Sequence, residues 1–170
     1  RVAFGKERIV IERHGEAVAA LVPVEDARLL DELEDRMDIE AAKEALKEVS
    51  QNHDLIPNLV EEALRYVSPV QYTFRSAGSE VVLKDGTGVK KGQSIVLMIV
   101  GANRDPKIFN DPDTFDIHRE NAKRNLAFGY GAHHCLGASL ARLEAEAVWK
   151  HLLLRFPNVA SWKVDGEIIA

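Results

Sequence analysis

The chain has 170 residues, 46% of them apolar and 29% charged, and a net charge of −5. This is a globular composition sized for one ordinary domain or two small ones. No apolar run approaches the roughly 20 residues that a membrane span needs. The single cysteine excludes an internal disulfide and fits a reducing cytoplasm, the expected compartment. The charge is unevenly placed: residues 1–48 hold 8 Lys/Arg against 13 Asp/Glu, and residues 49–170 hold 14 of each. That asymmetry points to two unrelated pieces, and it gives no support to a nucleic-acid surface.

In chain order, Arg8 to Arg13 has a strand pattern and His14-Gly15 a turn, with Gly15 supplying positive φ. Ala17 to Val22 is the return strand, ended by Pro23. Residues 25–49 predict an amphipathic helix with Leu30, Leu33, Met37, Ala41 and Ala45 at helical spacing and acids dominating the other face. A polar junction, Ser50 to Asp54, leads to a short helix over 56–66, with Pro57 in its first turn and Ser68-Pro69 as its stop. Strands are expected at 71–77, 80–84 and 94–100, with turns at Asp85-Gly86 and Lys91-Gly92. Residues 103–125 are rich in Asn, Asp and Pro, and so long an irregular stretch inside a compact domain is usually functional. A Gly-rich loop over 128–137 opens a strong helix over 138–154, and the tail 158–169 has the look of short strands.

The chemistry centres on Cys135, which stands just before a helix N-terminus, where backbone N–H groups and the helix dipole stabilise a thiolate. Gly129 and Gly131 permit a sharply bent loop, Gly137 allows close approach of a flat group, and Phe128 can cover one side of the sulfur. Such a setting suits a thiolate that pushes electron density toward haem iron. On the residues alone, Cys135 is also readable as a buried apolar side chain or as a nucleophile beside a histidine. A zinc site lacks a second cysteine and a histidine pair at ligand spacing.

Phe128, Gly131, Cys135 and Gly137 fill the string Phe-x-x-Gly-x-x-x-Cys-x-Gly. In this the chain resembles the cytochromes P450, and Leu136 to Glu144 is similar to the helix that follows in bacterial members. The resemblance covers residues 50–170 and implies the C-terminal part of that fold, with Cys135 as proximal ligand of a haem, monooxygenase chemistry and a ferredoxin-type redox partner. It also implies that Glu62 and Arg65, which share a helix face, form a buried structural ion pair rather than an exposed one. Arg75 and His133 resemble the family's haem-propionate contacts. Without the resemblance Arg75 reads as a solvated strand residue and His133 as a loop histidine bonded to backbone. Asn125 stands where many bacterial members carry His. The family's oxygen-activating string [AG]-G-x-[DE]-T-[TS] does not occur, and residues 24–49 hold no Ser or Thr to replace it. The 170-residue chain alone is therefore not expected to sustain hydroxylation.

Arg1 to Pro23, followed by an acidic helix, resembles the Phd/YefM-type antitoxins. That resemblance implies a basic toxin as a partner for residues 26–48, and, since the chain opens at Arg1 inside the family's N-terminal part, little of a DNA-binding segment. The expected architecture is α+β: an antitoxin-like hairpin-helix unit over 1–48 joined to an incomplete P450 C-terminal haem-binding region over 49–170. The second unit is expected to expose Leu59, Leu64, Leu140, Leu143 and Val148. A toxin-binding or DNA-associated module over 1–48 is the alternative function.

Overall fold

The computed structural model describes residues 7–162. The chain divides into two compact units, Arg1–Ala42 and Lys43–Ala170.

In the first unit, β1 (Ile9–Arg13) and β2 (Glu16–Leu21) form an antiparallel ribbon. Its two-residue turn needs positive φ at both positions, and His14 at 55° and Gly15 at 83° supply it. The register shifts after Ile11: Ile11 pairs with Ala19 but Glu12 pairs with Ala17, leaving Val18 as the extra residue of a bulge. Helix α1 (Val24–Gln51) begins behind Pro23, whose carbonyl accepts the N–H groups of Asp26 and Ala27, each at 3.1 Å. Glu25 and Asp26 in its first turn complement the helix dipole. The division between the units falls within α1.

The second unit has its core where the C-terminal end of α1 meets later elements. Ala45 and Val49 cluster with Ile56 and Leu59 of α2 (Ile56–Val67), Ile117, Val159 and Leu153 of α4 (Ala138–Arg155), and Trp149 and Trp162 pack against them. Pro57 sits in the first turn of α2, and Ser68 closes the helix in the left-handed region at φ 47°. β3 (Tyr72–Ser76) pairs antiparallel with β6 (Ser94–Met98), placing Arg75 opposite Ile95. The chain then turns into α3 (Ile99–Asn103).

Several expectations change. The predicted strand at 80–84 contracts to β4 (Val81–Val82), paired with β5 (Gly88–Val89), which is too short to leave a sequence pattern. Thr87 donates its N–H to Asp85 at 3.0 Å across this turn and holds that carboxyl below the usual carboxylate range. Residues 99 and 100, expected in a strand, are helical. The tail does not begin as a strand: Val159–Ser161 is a 3₁₀ turn whose buried Val159 completes the core, and residues 163–169 lie outside the described ones. Leu59 is buried, because the end of α1 covers it, and Leu64 is half-buried, whereas Leu140, Leu143 and Val148 are exposed as expected.

The irregular stretch 103–119 is held by an ionic knot. Glu62 and Arg65 are both fully buried and joined bidentately, Arg65 Nε to Glu62 Oε2 at 2.8 Å and Nη2 to Oε1 at 2.7 Å. A second cation, Arg119, donates Nε to the same carboxylate at 3.1 Å, and the N–H of Asp116 donates at 2.9 Å. Two guanidiniums share one carboxylate, so the excess donors go to backbone. Arg65 reaches the carbonyls of Asn103, Pro112 and Thr114, and Arg119 those of Asn110, Asp111 and Thr114. Carbonyls that a helix or sheet would satisfy are satisfied here by arginine. Replacing Glu62 by Gln is expected to cost about 3–5 kcal/mol, since it strands two buried cations. Urea unfolding measures this, and Arg65→Lys, which keeps charge but loses the fork, is expected to fall on the same side.

Candidate functional site

The knot extends to the cysteine loop through Asn103, which is fully buried at the end of α3. Its side-chain amide donates to Ser68 Oγ at 2.8 Å, and its Oδ1 accepts the N–H of Leu126 at 2.7 Å. From there the loop is laced by its own backbone. The N–H of Gly129 donates to the Leu126 carbonyl at 2.8 Å, Cys135 to Phe128 at 2.8 Å, His134 to Gly131 at 3.0 Å, and Ala138 to Cys135 at 3.2 Å. Gly129 and Gly131 hold φ of 74° and 72°, which side-chain-bearing residues rarely adopt. Gly137, the N-cap of α4, has an ordinary φ of −83°, and a Cβ there would meet the Cys135 sulfur at 3.9 Å.

Cys135 is exposed, so it is not a buried apolar side chain. It lines an open recess of about 320 Å³ together with Phe128, His133, Arg75 and Ile99, over a wall from Leu64 to Thr73 that includes Val70. An adjoining recess shares Thr73, Arg75, Ile99, Gly129 and His133. Four of the sequence-derived residues, Cys135, Arg75, His133 and Phe128, therefore face one largely apolar space. Gly131 shapes the loop from outside it, in the 3₁₀ turn Gly131–His133, and Glu62 and Arg65 lie away in the knot.

The Arg75 guanidinium is exposed and bonds locally, to Thr73 Oγ1 at 3.2 Å and the Phe74 carbonyl at 2.8 Å. Among the described residues no carboxylate pairs with it. An uncompensated cation beside an apolar recess that also presents a thiol and an imidazole suits a flat apolar ligand with anionic edges and a metal open to sulfur. This donor set fits haem.

Sequence reasoning passed over Arg119, which completes the knot, and assigned no chemistry to Asn103, which passes it on. The available signal was chemical: buried irregular backbone needs donors from somewhere. Asn125 is turned away from the recess. Its amide donates to Glu61 Oε2 at 3.0 Å and to the Ala122 carbonyl at 2.9 Å, and its Oδ1 accepts the N–H of Ala127 at 3.1 Å.

The family model "Cytochrome P450" matches residues 31–165, and "Antitoxin Phd_YefM, type II toxin-antitoxin system" matches residues 1–52. Cytochrome P450 GfsF of Streptomyces halstedii is 47% identical over 120 residues, and the biotin biosynthesis cytochrome P450 of Bacillus subtilis 46% over 116 residues. These alignments cover 69% and 68% of this chain, and the chain spans only 29% of the length of either relative. The crystal structure of P450BioI, solved with a fatty-acyl acyl carrier protein, superposes with a TM-score of 0.64 at 46% identity, covering 67% of this chain and 29% of that one.

The loop geometry separates its glycines. Gly129→Ala and Gly131→Ala are each expected to cost about 1–2 kcal/mol from the left-handed backbone alone. Gly137→Ala is expected to stay within about 0.5 kcal/mol. Thermal melts of the three variants without ligand check the contrast.

Proposed function

The chain belongs to the cytochrome P450 family, and on that premise we propose that the recess around Cys135 is a haem-thiolate site. The observation that carries this reading is the meeting of Cys135, Arg75, His133 and Phe128 on one apolar recess, although Arg75 and Cys135 stand sixty residues apart in sequence. Cys135 would hold the haem iron through its sulfur, presented by a loop laced by its own backbone hydrogen bonds. Arg75 and His133 would take the propionates, for which a forked guanidinium with no carboxylate partner among the described residues is suited. Phe128 limits water on the sulfur side, and Gly137 leaves room beside the sulfur. Haem held this way would supply the thiolate-ligated iron of the monooxygenase family, the sulfur pushing electron density toward the metal, but the chain without the oxygen-activating string is not expected to sustain hydroxylation by itself. A ferredoxin-type electron donor is the partner this reading implies. No described helix is long and apolar enough to cross a membrane.

For the front segment we propose a toxin-binding role, supported by the antitoxin family match over residues 1–52 and by an α1 whose Leu30, Leu33 and Met37 are exposed on a helix rich in acids. Co-purification with a small basic toxin that survives Cys135→Ala supports this role, and failure to retain such a toxin argues against it.

The haem reading is tested by a ferrous–CO difference spectrum after haem addition. The expected result is a red-shifted, thiolate-type band that Cys135→Ala abolishes. No band, or an imidazole-type band indifferent to Cys135→Ala, contradicts it.

A further inference from the structure

A second buried cluster lies between α2 and α4, apart from the ionic knot, and it reaches the cysteine loop. Glu61, next to the knot's Glu62 but on its own path, is buried. Its carboxylate receives Arg142 of α4 bidentately, Nε to Oε1 at 2.6 Å and Nη2 to Oε2 at 3.2 Å, and Asn125 donates to Oε2 at 3.0 Å. The same Arg142 guanidinium lies 4.7 Å from the centroid of the Phe128 ring. A cation held rigidly by two bonds to a buried carboxylate is fixed in place, so the ring attracted to its face is fixed as well. The Phe128 carbonyl accepts the Cys135 N–H at 2.8 Å, and both residues line the recess.

We propose that Arg142 is a positioning residue of the cysteine site, setting the Phe128 ring, and through it the surroundings of the Cys135 sulfur, by its tie to Glu61. This rests on the haem-thiolate reading for its consequence but not for its geometry. Glu61 orients Arg142, and Asn125 completes Glu61's shell from the residue three positions before Phe128. The cluster thus couples α2, α4 and the loop, and an apolar residue at 142 would leave Glu61 buried beside one amide and free the ring.

The test uses the full chain with 4-fluorophenylalanine incorporated, the Phe128 resonance being assigned by its loss in Phe128→Leu. In the ligand-free chain, Arg142→Leu is expected to shift and broaden that resonance while Arg142→Lys, which keeps a cation near the ring, largely restores it. A Phe128 resonance unmoved by Arg142→Leu, in a chain that still melts cooperatively, overturns the proposal whatever becomes of haem. After haem addition, Arg142→Leu and Phe128→Leu are each expected to lose most of the thiolate-type CO band, and the double variant to lose no more than either. Independent, multiplying losses also overturn it. A wild-type chain with no thiolate-type band counts against the haem reading alone, and the fluorine result then decides the positioning role.

Discussion

One carboxylate shared by two arginines organises the second unit. Glu62 is too buried to be solvated and too outnumbered to neutralise Arg65 and Arg119, so the surplus positive charge is spread over the carbonyls of residues 103–114. Without it that segment would bury polar backbone with no regular ladder to satisfy it, which is among the costliest defects a fold can carry. With it the segment is as determinate as a helix. Asn103 then converts the fixed segment into a fixed starting point for the cysteine loop by accepting Leu126 N–H.

A site built this way has a particular character. The residues that would touch a ligand, Cys135, Arg75 and His133, are exposed, and the residues that place them are buried. Rigidity is supplied from behind, by the knot and by the Glu61–Arg142 pair under Phe128. The loop can therefore present a thiol to solvent and still hold its geometry, a division of labour that favours preorganised ligation over induced fit.

Helix α2 and helix α4 were legible from sequence because Pro57 and Ser68 mark the ends of the first and the Gly-rich loop marks the start of the second. The fate of Leu59 was not, since it depends on Ala45 and Val49 at the end of a helix that its acidic composition assigns to the front segment. The P450 family match begins at residue 31 and the antitoxin match ends at residue 52, so α1 carries both patterns at once. In the site, Cys135 and its glycines were readable as chemistry, and Arg75 and His133 only through resemblance, because nothing local shows a strand arginine meeting a loop histidine. Arg119 and Arg142 left no local mark: each is an arginine among polar residues or on a helix, and only the fold shows which carboxylate waits for it.

Amide hydrogen exchange in the ligand-free chain tests the central claim, that the cysteine loop is held by the buried knot rather than by a ligand. The account predicts that the N–H groups of Leu126, Gly129 and Cys135 are protected and open together with those of α2, and that Glu62→Gln releases them as one group. Loop amides that exchange freely while α2 stays protected would contradict it.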